Sequence, residues 1–524
     1  MKGEIMSDLL SRRSRTLASA SILVLACGLA GPALAADHDL VVAVTKITTS
    51  LDPMGANSNV NERVSNNVVE GLLEYDVASK TYKPKLAESF TVTDDKVIEF
   101  TLRPGVKCHN GEDFTAEDVA FSLGPQRFSS ETAPGWDVAK AFLGSLTQVE
   151  VIDPYKVRVT SSFPDPLIRA RFGNWMGQMI CKDAFMAAAT WEDWGKAVVG
   201  TGPYKVADFK PGESIRLVAF DGYWGDKAPA SSITYTVVPE TAARVAGLLT
   251  GEFDIITEIT PDQFKTIDDD PNTEVAGGPI RNIRVILYDE LNNPSLADPR
   301  IRQAMSAAID RQLIVDTMFA GRTTVPRGLQ MEAFGDLYIA DFQPIGYDPD
   351  LAKKLLAEAG YKGEEITYRY LQDYYTGEVA TAQILQSMWK AVGLNVKLDL
   401  EENWDAIEGD TANVGRGVYN MSNSAYYADP VGQIWRLYGP DGLYQGMNSY
   451  AAPEFDALGQ DLLSTDLATR QAAMRKMLEI YERTDPPGTY LFVLPMFYGK
   501  RSDFAWTPTD TAFMDFRAGA LSFP

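Results

Sequence analysis

Between residues 298 and 400 three helical stretches follow one another, two of them stopped by a glycine and the last leading into an apolar strand. Asp298 is placed to cap a helix, Pro299 suits its first turn, and Ile301, Ala304, Met305, Ala308 and Ile309 fall on one face. A second helix begins near Pro349, carries Leu351, Leu355 and Leu356, and stops at Gly360, a residue suited to the left-handed C-terminal position. A third runs from about Glu378 to Val392, stops at Gly393, and leads into a strand over Leu394–Leu400. Further strand-like runs are Leu40–Thr45, Val97–Leu102, Val149–Ile152, Lys156–Thr160, Ser214–Phe220, Ile233–Val238 and Ile283–Leu287. Helices that alternate with strands in this way predict an α/β fold with at least partly parallel sheets.

The 524 residues include 48 Lys or Arg and 71 Asp or Glu, a net charge of −23. At roughly 100–200 residues per domain the length predicts two to four lobes. An acidic chain is a poor partner for nucleic acid or an anionic membrane, because phosphate neutralisation needs clustered Lys and Arg. Three Cys and two His argue against a cysteine-rich zinc fold. At the N-terminus a basic cluster, Arg12, Arg13 and Arg15, precedes an apolar stretch from Leu17 to Ala30 and the small residues Ala33 and Ala35. This predicts a cleavable secretory signal over residues 1–35, hence a periplasmic protein; an uncleaved anchor, a lipoprotein box ending at Cys27 and twin-arginine export are weaker readings. Four basic and two acidic residues leave with it, taking −23 to −25. Cys108 and Cys181 remain, either as one disulfide, which an oxidising compartment permits, or as two buried thiols. No later stretch is long and apolar enough to cross a bilayer.

A set of motifs follows in order along the chain. They are Leu51-Asp52-Pro53, Val69-Glu70-Gly71-Leu72-Leu73-Glu74-Tyr75-Asp76, Pro84-Lys85-Leu86-Ala87-Glu88-Ser89-Phe90 and Phe100-Thr101-Leu102-Arg103-Pro104-Gly105-Val106. Next come Phe114-Thr115-Ala116-Glu117-Asp118-Val119, Gly200-Thr201-Gly202-Pro203-Tyr204, Tyr223-Trp224-Gly225 and the run from Asp298 to Arg311. This order resembles the extracytoplasmic solute-binding proteins of the peptide, nickel and opine importer family, from about residue 40 to the C-terminus. The resemblance implies a two-lobed clamshell of the large type. Its larger lobe spans 36–287 plus 495–524, with an inserted subdomain at about 85–195; its smaller lobe spans 288–494. It also implies a carrier, working as a monomer, that closes on a small polar solute and delivers it to a transmembrane permease. Peptide is the default cargo, with an opine-like or oligosaccharide ligand as the alternative.

The residues themselves offer no catalytic or cofactor motif: there is no His-Glu-x-x-His, Gly-x-Ser-x-Gly or phosphate-binding loop. A secreted hydrolase using two carboxylates is the rival of a different class, but with 71 acidic residues paired carboxylates arise by chance. No cofactor or metal site is expected. His109 lies in a polar run, His109-Asn110-Gly111-Glu112-Asp113, and reads as a solvated turn residue. Gly200-Thr201-Gly202 precedes Pro203 and a strand-like run, so it reads as a turn whose backbone faces the cleft, with Thr201 as a ligand contact.

In peptide-carrying relatives, the resemblance implies, an Asp in an aromatic-rich segment of the smaller lobe receives the ligand's amino group. Here Asp429 occupies that place, after Ser424-Ala425-Tyr426-Tyr427-Ala428; the competing reading is a cap for the helix that Pro430 would begin. The loop is shorter than the family's, and Asn423 stands where some peptide carriers place a cation. Tyr426 and Tyr427 are candidate stacking faces. Trp404, after a strand, is a further candidate, as are Arg416, Trp435 and Arg436 for an anionic or hydroxyl-rich ligand. From the larger lobe, Thr48-Thr49-Ser50 and Asn57-Ser58-Asn59 are expected to border the cleft, with Thr49 and Asn57 as contacts. Tyr223 and Trp224 read as structural.

Overall fold

The computed structural model describes residues 38–524, apart from 56–58, 125–126, 129–134, 373, 409–415, 441, 448 and 451. The signal-peptide reading and Asn57 lie outside the described residues. Ten strands form one sheet. One half of it contains Tyr204–Lys210, Ser214–Ala219, Ser232–Val237, Asp39–Val44 and Ile255–Ile256; the other contains Val418–Ser424, Ile366–Leu371 and Val396–Glu401. Between them stand the two longest strands, Gly488–Arg501 and Thr273–Tyr288, which pair antiparallel.

Each long strand pairs with one half, and their pairing with each other joins the two. Ile255 and Ile256 pair with Lys500 and Gly499, whereas Asn282 to Tyr288 pair with Ser424 to Val418. Where the halves meet, Pro279 faces Pro495 and the register shifts before Ile283. Neither proline has an N–H to give to the ladder, so the sheet is weakest where the chain passes from one half to the other. Only the Ile283–Leu287 end of the longer strand is legible as a strand in the sequence. The preceding Ala276-Gly277-Gly278-Pro279 is poor strand material, held extended by its partner.

The parallel pairing expected from the helix–strand pattern is present. Ile366–Leu371 and Val396–Glu401 are parallel, joined by the helix Glu378–Val392. Asp39–Val44 lies parallel to both Ser232–Val237 and Ile255–Ile256. The helix ends also follow local chemistry. Asp298 accepts from the Arg300 N–H and Asp348 from the Leu351 N–H, with Pro299 and Pro349 in the first turns. Gly360 and Gly393 take φ of 72° and 100° to stop their helices. A separate antiparallel sheet orders Ala87–Thr93, Val97–Leu102, Lys156–Ser161 and Leu146–Asp153. No helix among the described residues is long and apolar enough to cross a membrane.

Several sequence motifs converge on one buried carboxylate. Glu70 accepts from the Thr201 hydroxyl at 2.9 Å, the Tyr223 hydroxyl at 2.8 Å and the Trp224 indole at 2.9 Å, with Lys85 3.6 Å away. Thr201 is thus buried, its hydroxyl spent on Glu70. The glycines beside it are needed for close approach: a Cβ on Gly200 would stand 2.3 Å from the Val68 carbonyl oxygen, and one on Gly202 2.6 Å from that of Asn67. The expected cleft-facing turn is therefore a backbone-to-backbone packing joint. His109 is corrected with it: its Nδ1 accepts from the Gly200 N–H at 3.2 Å and its Nε2 donates to the Gly202 carbonyl at 3.0 Å. Burial pushes the His109 pKa down to about 4, against the hydrogen bond to Gly202. Next to it, Cys108 and Cys181 are joined as a disulfide with Cα atoms 6.2 Å apart.

Candidate functional site

A cavity of about 910 Å³ opens beside the proline crossing, where Pro495 and Met496 form part of its wall. Its aromatic wall is assembled from three places in the chain. Ser422, on the strand Val418–Ser424, shares its hydroxyl with Tyr374 at 2.8 Å and Tyr375 at 3.1 Å. The Tyr374 ring stands edge-on to Trp404 at 4.8 Å and lies under the Arg284 guanidinium at 5.1 Å. Arg284 is itself fixed by a two-pronged ion pair to Glu378, both bonds 2.6 Å, with Asn420 adding a third contact to the same carboxylate. Both partners are buried, so this pair acts as an internal brace that sets Tyr374 and, through it, Trp404.

Tyr426 completes the wall, with the Arg436 guanidinium stacked 4.5 Å over its ring. Burial, against the Arg436 charge, pushes the Tyr426 hydroxyl up to about 12, so it stays protonated at neutral pH. Arg436 donates to the carbonyls of Gly432 at 3.0 Å and Ser424 at 3.4 Å. Across the cavity stand Lys46, exposed, and Arg244. Arg244 is buried and gives its N–H groups to the carbonyls of Val238, Pro239, Thr257 and Glu258. The Glu258 side chain faces the same space from a left-handed backbone, φ 48°. It is held there by Arg63, Thr257 and, at 3.2 Å, the Thr45 hydroxyl. Burial works to raise the Glu258 pKa, yet Arg63, the Thr257 hydroxyl and the Arg244 charge keep it below the ordinary range.

Of the residues singled out in the sequence, Trp404, Tyr426 and Arg436 line this cavity together. The others are placed elsewhere. Asp429 is nearly buried, its side chain 13% exposed, and both its oxygens take the Arg470 guanidinium, at 2.7 and 2.8 Å. It also accepts from the Val431 N–H at 2.9 Å, which is the capping role. Asn423 is fully buried, its amide engaged by the Tyr438 and Tyr444 hydroxyls at 3.0 and 2.9 Å. Tyr427 is buried against Phe142. Thr49 is exposed, and Thr201 belongs to the Glu70 cluster. Arg416 donates to the Met447 carbonyl, and Trp435 packs against Gly459. Sequence reasoning missed Tyr374, Tyr375 and Tyr444 on one side and Lys46, Arg63, Arg244 and Glu258 on the other. The pair Tyr374-Tyr375, followed by Thr376 and Gly377, was the available signal.

A smaller cavity, about 250 Å³, shares Ser424 and Tyr426 with the first. Its charges are largely matched internally, with Arg281 on Asp510 at 3.2 Å and Arg517 on Glu74 at 2.6 Å. The larger, aromatic-walled cavity is the better host for a solute.

A sequence profile for bacterial extracellular solute-binding proteins, family 5 (middle region), matches residues 81–445. The chain belongs to this family. The solute-binding protein is 31% identical over 373 residues to the glutathione-binding protein GsiB of Salmonella paratyphi A, covering 70% of each chain. Its fold is shared with the substrate-binding protein CtaP of Listeria monocytogenes, TM-score 0.81 at 22% identity, over 93% of this chain and 99% of that one. It is shared equally with the periplasmic binding protein DppA of Helicobacter pylori, solved with the peptide STSA, TM-score 0.79 at 22% identity over 93% and 98%. The α/β architecture is thus the two-lobed clamshell that the motif order implied. By its family the chain is an extracellular solute-binding protein.

Proposed function

We propose that the 910 Å³ cavity is where the cargo is held, and that Trp404, Tyr426 and Arg436 contact it. The observation that carries the reading is that both halves of the sheet contribute to one polar, aromatic-walled cavity beside the proline crossing. The lobes are taken as 36–287 plus 495–524, with the subdomain at about 85–195, and 288–494. The long strands serve as the hinge between them. The cargo is a small polar solute, a peptide by default or an opine-like or oligosaccharide ligand, passed to a transmembrane permease. The protein acts as a periplasmic monomer after removal of residues 1–35, and it has no catalytic task. Supporting this last point, Glu258 is the one carboxylate among the described residues lining the cavity, and Arg63 neutralises it. Among the described residues a two-carboxylate hydrolase finds no pair there.

Binding is tested with the purified mature protein, read by tryptophan fluorescence, since Trp404 stands in the wall. Saturable one-to-one binding of a solute recovered unchanged, lost in Trp404→Ala, is the expected result. Multiple turnover of the solute overturns the carrier reading.

A further inference from the structure

We infer that the cleft selects an anionic solute, one with carboxylate or similar acidic oxygens on a flat or ring-bearing body, and that its described residues offer no dock for a ligand ammonium. This rests on the reading of the 910 Å³ cavity as the solute site. Among the described residues four cations line that cavity, Lys46, Arg63, Arg244 and Arg436, against the single acid Glu258. Such an excess is local. The chain as a whole carries −23, and the neighbouring smaller cavity is lined by five acids, Glu62, Glu70, Glu74, Asp510 and Asp515, against three bases. A cationic pocket inside an acidic protein focuses the field on a place where an anion can be neutralised.

Glu258 does not offset the excess for a ligand, because Arg63 and two hydroxyls already occupy it. The acceptors described for Arg244 and Arg436 are uncharged: backbone carbonyls and, for Arg244, the Thr241 hydroxyl. Arg436 therefore keeps guanidinium N–H groups for an acidic group, for which its fork is well shaped, whereas Arg244, buried with all five N–H groups engaged, contributes charge alone. Asp429, the acid that the family resemblance would assign to an ammonium, has both oxygens on Arg470 and does not line the cavity. The Tyr374, Trp404 and Tyr426 rings provide the faces for the rest of the solute.

The test passes the small-molecule fraction of a bacterial culture medium over immobilised mature protein, then releases what is retained by denaturation. Retained species are sorted by anion-exchange mobility and mass, with a Trp404→Ala/Arg436→Gln double variant as the reference. Enrichment of acidic species, weakened at least tenfold by Arg436→Gln and severalfold by Lys46→Gln, is expected. Lys46 is exposed, so that second variant reads charge even if Arg436→Gln folds poorly. As defined probes, N-acetyl-trialanine free acid should displace the retained solute better than trialanine amide with its free amine. Enrichment of neutral or cationic species that the double variant loses, or better displacement by the amide, overturns the anion inference while keeping the site. Enrichment that the double variant retains, or none at all, overturns the site reading itself.

Discussion

Replacing Asp429 separates two roles for one carboxylate. In Asp429→Ala the Arg470 guanidinium, about nine-tenths buried, loses its charge partner. Leaving a buried charge unpaired costs ~3–5 kcal/mol. Because each side chain keeps about a tenth of its surface exposed, the lower figure, ~3 kcal/mol, applies. Loss of the cap on the Val431 N–H adds ~1 kcal/mol. For the unit Ala36–Pro524 the unfolding entropy at about 2.1 cal/mol/K per residue is ~1 kcal/mol/K, so the melting temperature should fall by ~4 °C. Asp429→Asn keeps a capping oxygen and should lose ~3 °C. Adding Arg470→Met to Asp429→Ala removes the orphaned charge and should recover most of the loss. Differential scanning calorimetry of the three variants, beside solute affinity, gives the answer. If Asp429 instead received a ligand ammonium, the variants would melt as the parent does and affinity would drop tenfold or more, a loss of ~1.4 kcal/mol. That pair of results refutes the structural assignment.

Other consequences can be measured on the same protein. Converting Cys108 and Cys181 to Ser opens a loop with a sequence separation of 73 and should lower stability by ~4 kcal/mol in the chain-entropy picture, read by chemical denaturation. His109 is held neutral with a pKa of about 4 against 6.5 unfolded, so the unfolded chain binds the extra proton between those values. Its contribution is complete above pH 6.5 and is lost as pH falls towards 4, by up to ~3 kcal/mol. His109→Asn should flatten that part of the stability–pH curve; an unchanged slope would remove His109 from the account. Gly202→Ala places a Cβ 2.6 Å from the Asn67 oxygen and should lower folded yield and melting temperature, whereas Gly212→Ala, with open space, strains only its own φ of 76°. Glu378→Gln weakens the brace under Arg284 and Tyr374, and should reduce solute affinity without touching the cavity itself.

How much was legible depends on how local each determinant is. The helix Glu378–Val392 and the stops at Gly360 and Gly393 rest on side chains within a turn of the ends, and a sequence displays them directly. Gly488–Arg501 was not read as a strand, because Pro495 interrupts it and its partners lie more than 200 residues away. At the site, Asp429 followed by Pro430 admitted two readings. The choice was made by Arg470, 41 positions on, which no local rule connects to it. Trp404, Tyr426 and Arg436 carried a visible signal in their chemistry. Lys46, Arg244 and Glu258 did not, since only the fold brings the turns that hold them opposite Tyr374.

The sheet order also bears on how the protein is made. Ile255–Ile256 and Thr273–Tyr288 are close in sequence, yet Gly488–Arg501 is inserted between them. Until that late segment emerges, the first half of the chain holds an open slot with two unpaired strand edges, a template for the wrong partner. Residues beyond it complete the job: Trp506, Met514, Phe516 and Leu521 pack into the same core as Leu40, Val42 and Ile233. Synthesis is thus nearly finished before the open edge of Ile255–Ile256 can be paired. A truncation of even the last thirty or so residues should leave a chain that aggregates on export, not one that merely lacks a tail.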